Sequence, residues 1–483
     1  MADTRLTPQH FYRFFQCPHW IWYDIYGDSA KRKEVSPLMD IIYKGKLADE
    51  PGHLRAHKKF EELKPEDYRD LEEAYLATLE RMREGKNIYH GVLMHEEWAG
   101  MPDLLEARPG KSELGPWEYA VYDIQRSLDL RDEHKFPLVF YSLILERIQG
   151  VRPREAFVID PQGNERSFLV DDFIDQFHLV REEIERILDG TKPPPFLKSG
   201  CKRTPWYSVC LEETEGCNDV SLIYRLSQAD QRRLYGIGIR TVQQLADSDP
   251  DQLQAQLESW PYDKVLRFHN QARVLISREP MILRHPEFPD VKHEVYFDVE
   301  GDPTRDVDYL FGLLTKDTET GRTSYKQLLA KNPEEEKTAW REFLDMLSGM
   351  EDFAIYHYAY YERKVFDQLV IRHGAPSALI QKFNEHAVDL HAKTVESVVL
   401  PLYFYTLKDL GKYLGYEWTD PEAGGAESVV WYDQWLKTGD RAYLDRIITY
   451  NEDDVRATMV LKEWLESLRP KRTRPPRQPL PSE

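Results

Sequence analysis

The chain has 483 residues, 41% of them apolar and 12% aromatic, which is more than one hydrophobic core normally serves and enough to fill two or three. Its net charge of -20 argues against a protein that grips nucleic acid mainly by bulk electrostatics, since phosphate binding rewards Lys and Arg, though local basic strips such as Arg232, Arg233 and Arg240 remain. Four cysteines cannot form a dense disulfide framework. The first twenty residues lack the apolar segment of a signal peptide, and the longest uncharged apolar stretch, Phe136 to Leu145, is too short to span a bilayer, so a cytoplasmic protein without a membrane partner is expected.

Residues 1–220 read as mixed α/β. An aromatic-rich opening leads through charged helical sequence (His57 to Gly85) to a strand-like run, Tyr119 to Ile124, and an apolar helix, Leu138 to Ile148. Lys192-Pro193-Pro194-Pro195 then breaks regular structure and introduces three of the four cysteines, Cys201, Cys210 and Cys217; the fourth, Cys17, lies near the start. In a reducing compartment such thiols are free or bind metal.

Residues 221–285 form a helical linker in which LSQADQRRLYGIGIRTVQQLA places two short amphipathic helices around Gly236-Ile237-Gly238. The pattern looks like a helix-hairpin-helix, in which a glycine turn offers backbone N–H groups to a phosphate, with Gly236, Gly238 and Arg240 as the contact residues. An ordinary helical linker fits the same residues equally well.

Alternation resumes at Glu294-Val-Tyr-Phe-Asp-Val-Glu300, opening an α/β domain over residues 286–468. Asp298 and Glu300 stand two apart on a strand and leave the same face, so they can share a metal. With 84 acidic residues in the chain, roughly 15 acid-x-acid pairs arise by chance, so the setting decides. Here the acids end an apolar strand and are stopped by Gly301-Asp302-Pro303, which is poor packing and good chemistry. A second apolar strand, Phe353 to Tyr358, leads into Glu362 near a helix N-terminus. On a late helix, Tyr450 and Asp454 lie four apart on one face. The tail, residues 469–483, is basic, Pro-rich and expected to be disordered.

Acid-x-acid on a first strand, an acid after a later strand, and Tyr-x-x-x-Asp on a late helix resemble the DEDD exonucleases of RNase H-like fold, specifically the YprB-like exonucleases. The resemblance covers about 175 residues, including Asp389-Leu390 and Thr406-Leu-Lys-Asp-Leu-Gly411, with Glu362 standing where Asp is usual. It implies 3'-5' hydrolysis with Mg2+ or Mn2+ held by Asp298, Glu300 and Asp454, Glu362 as direct or water-bridged ligand, and Tyr450 aligning the nucleophile. His357 and Asp389 are candidate supporting groups.

The split of Cys17 from the later trio resembles the RecB family of nucleases with an iron-sulfur clasp. That resemblance implies a 4Fe-4S cluster on Cys17, Cys201, Cys210 and Cys217; a zinc ion would use the same four thiolates. The family's second cysteine of the trio is Thr204 here. The same resemblance implies a PD-(D/E)XK core with Asp103, Asp123 and Gln125 as its site. Gln125 stands where lysine is usual, Pro137-Leu-Val-Phe-Tyr141 lacks the family's glutamine, and Asp49, His53 and His57 fit the upstream histidine imperfectly. A neutral amide cannot supply a cation, which favours a fold kept to hold nucleic acid over an impaired nuclease. The whole order implies a multi-domain α/β nuclease acting in DNA repair, recombination or defence. It makes DNA more expected than RNA as partner and leaves room for a helicase. A non-catalytic nucleic-acid adaptor retaining both folds is the alternative.

Overall fold

A computed structural model describes residues 5–34, 58–124, 132–159 and 164–468. The chain forms two compact units: Met1–Glu213 with Pro303–Asp306, and Thr214–Asp302 with Val307–Glu483. Among the described residues no helix is long and apolar enough to cross a membrane.

The first unit is built on six strands: β1 (Glu61–Glu62), β2 (Ile88–Tyr89), β5 (Leu104–Ser112), β6 (Gly115–Ile124), β7 (Glu155–Ile159) and β8 (Glu165–Leu169), hydrogen-bonded in that order. A small hairpin, β3 (Leu93–His95) with β4 (Trp98–Gly100), stands apart from the sheet. β5 and β6 are antiparallel, and β6 runs parallel to β7 after a crossover through the helix Asp132–Gln149, as parallel strands require. Alternation along β6 sends Tyr119 and Val121 into a core with Phe11, Phe136, Phe140 and Phe177, and Ala120, Tyr122 and Ile124 to the opposite face with Leu104 and Phe157.

The second unit begins with short helices, Gln228–Gly236, Val242–Asp247, Pro250–Gln256 and Tyr262–Ser277. The first two each start with a capping box, on Ser227 and on Thr241. After β9 (Met281–Ile282) come β10 (His293–Asp302), β11 (Val307–Asp317) and β12 (Thr323–Leu329), an antiparallel meander. β13 (Phe353–His357) and β14 (Ala387–Asp389) add in parallel, giving the order β12-β11-β10-β13-β14; β15 (Val398–Val399) pairs with β9 elsewhere.

Both faces of this sheet are covered, so β10 and β11 are apolar along most of their length. Val295, Phe297 and Val299 pack with Phe343, Trp340 and Phe366; Phe343 stacks on Phe297 and on Trp340, and Phe366 meets Trp340 edge-on. Tyr296, Leu314 and Tyr356 point the other way, toward Val455, Leu461 and Leu465 of the long helix Arg441–Ser467. Asp440 caps that helix by accepting from Ala442 N. Asp298 and Glu300 share parity with Tyr296, so they too face the long helix.

Candidate metal centre of the C-terminal unit

Four chain segments converge on the end of β10. A β-bulge between Glu300 and Gly301 breaks the β10–β11 register just where the acids end the strand. Carboxylate oxygens of Asp298, Glu300 and Asp454 all lie within 4.8 Å of one another, the one such group of three His, Cys, Asp or Glu ligands among the described residues. Tyr450 lies one turn before Asp454 on the same helix, and each perturbs the other's titration. Glu362 comes in from the first turn of the helix Tyr361–His373 and is buried. The structure thus brings Asp298, Glu300, Glu362, Tyr450 and Asp454 to one place.

These acids sit in an environment hostile to their own charge. Burial pushes the Asp298 carboxyl well above its usual range, and the charges of Asp454, Glu300 and Glu362 add to it, against a hydrogen bond from Asn451. Glu300 is raised by burial and by Asp454, against a hydrogen bond from Ser428. Asp454 rises from 3.8 to about 6, chiefly by burial, with hydrogen bonds from Trp418 and Tyr450 and the nearby Lys408 pulling it back. Glu362 is raised by burial as well. Three buried carboxylates and the half-buried Asp298, each made harder to ionise by its surroundings, are costly alone and would be relieved by a divalent cation, and all-oxygen donors suit Mg2+ or Mn2+.

Several supporting residues escaped the motif reading. Asn451 donates to Asp298 Oδ2 at 2.7 Å and accepts from Tyr325 at 2.8 Å, so it fixes the orientation of the first acid. Its room comes from Gly312, which pairs with Asp298 in the β10–β11 register; a Cβ there would lie 1.5 Å from Asn451 Oδ1. Trp418 Nε1 donates to Asp454 Oδ1 at 2.7 Å, and a Cβ on Gly411 would meet that indole at 2.4 Å. The glycine closing Thr406-Leu-Lys-Asp-Leu-Gly411 is therefore a packing requirement for Asp454. Lys408 of the same segment is half-buried, its Nζ 5.8 Å from the ring centres of both Trp418 and Tyr450, and burial lowers its pKa. Within Glu452-Asp453-Asp454, Asp453 instead accepts from Thr419 N at 2.8 Å and from Tyr416 at 3.1 Å, so it anchors the loop. The signal for Asn451 was its place one residue after Tyr450 and three before Asp454, on the helix side facing β10; nothing local marked Trp418.

The other sequence candidates fare unevenly. In the first unit, Asp103 and Asp123 come at the same end of β5 and β6, one step beyond the Leu104–Tyr122 pair. Asp103 Oδ2 accepts from Ile124 N at 2.7 Å, so this carboxylate is engaged by the backbone. Gln125, like Asp49, His53, His57 and the tail 469–483, lies outside the described residues. Cys17 meets both Cys201 and Cys210, and no disulfide joins them. Its hydrogen bond with Cys201 works downward, but that with Cys210, together with burial, pushes the Cys17 thiol up to about 12. Cys201 is raised too, by Cys17 and then by burial. Apposed buried thiols of this kind resist ionisation on their own, and a bound cation would favour their thiolates, so these three could serve as donors to an iron-sulfur cluster or zinc. Cys217 belongs to the second unit, where its Sγ lies 3.5 Å from Thr214 O. Thr204 donates to Cys201 O at 2.9 Å and cannot replace a thiolate.

At the glycine turn the backbone differs from the expectation. Ile237 and Ile239 donate to Leu234 O, Gly238 to Tyr235 O, and Arg240 and Thr241 to Gln244 Oε1. Gly238 has a φ of +85°, a conformation suited to glycine. Each N–H from Ile237 to Thr241 is thus already used, and the turn is left with the Arg240 guanidinium, 4.7 Å from the centre of the Tyr235 ring, to offer a phosphate.

Three antiparallel strands extended by two parallel ones, with acids on the first of these strands and on the long helix, define an RNase H-like domain with a carboxylate cluster. Residues 295–466 match a family of the RNase H superfamily, which spans β10 to the end of the long helix and points to a nucleic-acid hydrolase. No curated protein matches the chain.

Proposed function

We propose that the C-terminal domain is a metal-dependent 3'-5' exonuclease, acting on DNA in preference to RNA, and that the N-terminal unit has a RecB-like fold used to hold nucleic acid. The observation that carries this reading is the meeting of Asp298, Glu300 and Asp454 within 4.8 Å, with Tyr450 on Asp454 and Glu362 alongside. Asp298, Glu300 and Asp454 would hold Mg2+ or Mn2+, with Glu362 completing the set directly or through water. Such ions, when bound, lower the pKa of the attacking water and neutralise charge on the leaving oxygen.

The chain's own residues do the positioning. Asn451 holds Asp298 from one side, and Trp418 occupies one oxygen of Asp454 so that the other is left to turn inward. Tyr450, one turn before Asp454, would align the nucleophile through its hydroxyl. Burial of the acids keeps bulk water from screening them, which strengthens every interaction made there.

For the first unit, the β5–β6 hairpin followed by a helix and a parallel strand supports a PD-(D/E)XK-like core, and the engagement of Asp103 with Ile124 N supports binding over cutting. The meeting of Cys17 with Cys201 and Cys210 supports a cysteine clasp, with 4Fe-4S ahead of zinc.

The test is degradation of end-labelled single-stranded DNA and RNA with Mn2+ or Mg2+, comparing wild type with Asp298→Ala plus Asp454→Ala. Loss in the double variant supports the exonuclease, and the labelled end that survives reports polarity. Equal activity moves catalysis to the N-terminal unit. No activity in either protein favours an adaptor that retains both folds.

A further inference from the structure

Three buried polar atoms beside the acid cluster have no hydrogen-bond partner: both ring nitrogens of His357 and Oε2 of Glu362. His357 is 1% exposed and Glu362 3%. The Nδ1 to Oε2 distance is 3.7 Å, too long for a hydrogen bond and short enough for a small carboxylate movement to close. Leaving such groups unsatisfied costs about 1–3 kcal/mol each, so a merely packed histidine is an expensive choice here.

The backbone between them is held in an unusual conformation. β13 ends at His357, and the chain turns through Ala359 at φ +64°, the left-handed region that favours glycine. Asp389, paired with His357 in the β13–β14 register, accepts from Ala359 N at 3.1 Å and from Ala392 N at 3.1 Å. Glu362 follows as the second residue of its helix. Asp389 thus fixes the turn that sets Glu362 against His357.

We propose that His357 is the positioning residue of the metal site. With its proton on Nδ1 it donates to Glu362 Oε2 when a divalent cation occupies the acids, fixing which way the carboxylate faces. This rests on the metal-site reading above and adds a reason for the histidine. A glutamate has one more rotatable bond than an aspartate, and ordering that bond costs entropy. A single donor at the carboxylate removes this freedom, as supporting groups do for metal ligands generally.

The experiment is an Mn2+ titration of the metal-free full-length chain, read by thermal shift, for wild type, His357→Phe and His357→Asn, each repeated with Glu362→Ala. His357→Phe keeps a flat ring without a donor; His357→Asn keeps a donor near Nδ1. His357→Leu replaces the Phe variant if that does not fold. The expected result is an Mn2+ midpoint about 10–100-fold higher for Phe, recovery toward wild type for Asn, and no further effect of His357→Phe once Glu362 is absent. An unchanged midpoint in His357→Phe while Asp298→Asn abolishes the shift overturns this proposal alone. So does a His357 effect that persists without Glu362. A wild type that gives no Mn2+ shift overturns the metal-site reading and this one together.

Discussion

Replacing Asp454 by Asn should make the metal-free protein more stable, although it removes a metal ligand. The Asp454 carboxyl rises from 3.8 to about 6 on folding, which corresponds to about 3 kcal/mol of penalty when it is ionised. Because the folded-state pKa is the higher one, the penalty is full above about pH 6 and absent below the unfolded value near 3.8. An amide carries no charge and still accepts from Trp418 Nε1, now 2.7 Å from Oδ1. Allowing for imperfect replacement of the Tyr450 contact, the net gain is about 1–3 kcal/mol, or about 2–10 °C in Tm for a unit of this size. Scanning calorimetry in EDTA should show this gain at about pH 8 and its disappearance by about pH 4. Mn2+ should raise the Tm of wild type and leave the variant unmoved, because three acids without Asp454 hold the ion poorly. A variant that melts below wild type in EDTA at the higher pH, or that Mn2+ stabilises as much as wild type, would refute the reasoning.

Gly312→Ala should abolish nuclease activity or soluble expression, because the new methyl lands on Asn451; Gly349→Ala, where a Cβ meets nothing within 4 Å, serves as the silent control. Tyr450→Phe should retain the Mn2+ thermal shift and lose roughly 100-fold in turnover, since it removes a hydroxyl that orients the nucleophile and no ligand; loss of the metal shift would assign Tyr450 a structural role. Protein purified without oxygen should be brown, with visible absorbance that Cys17→Ser removes; colourless protein with stoichiometric zinc would favour the zinc site.

What could be read from the sequence was whatever local periodicity encodes. Asp298 and Glu300 declared themselves by a two-residue spacing at the end of an apolar strand, and Tyr450 and Asp454 by a four-residue spacing on a helix; both spacings are backbone geometry. Trp418 was not legible, because its bond to Asp454 joins residues 36 apart and nothing nearby distinguishes it from a core tryptophan. Gly312 was hidden for the same reason: its meaning lies in the side chain opposite it across two strands and a helix. The Gly236–Gly238 turn shows the reverse failure. The glycines predicted a tight turn correctly, yet where its N–H groups point depends on Leu234, Tyr235 and Gln244, which consume them. In the first unit, Asp103 matched a motif position while its carboxylate went to the backbone of the neighbouring strand.

The closing of the site by its last helix also sets a clock on synthesis. Asp298 and Asn451 are 153 residues apart in the chain, so at about 5–20 residues per second a ribosome needs about 8–30 s to deliver the helix that completes what β10 begins. During that interval the growing chain carries two acids on an open strand and no Asp454. Until the helix Arg441–Ser467 arrives, the β10 acids lack both Asp454 and Asn451, so the cluster of three carboxylates forms only late in the making of this domain.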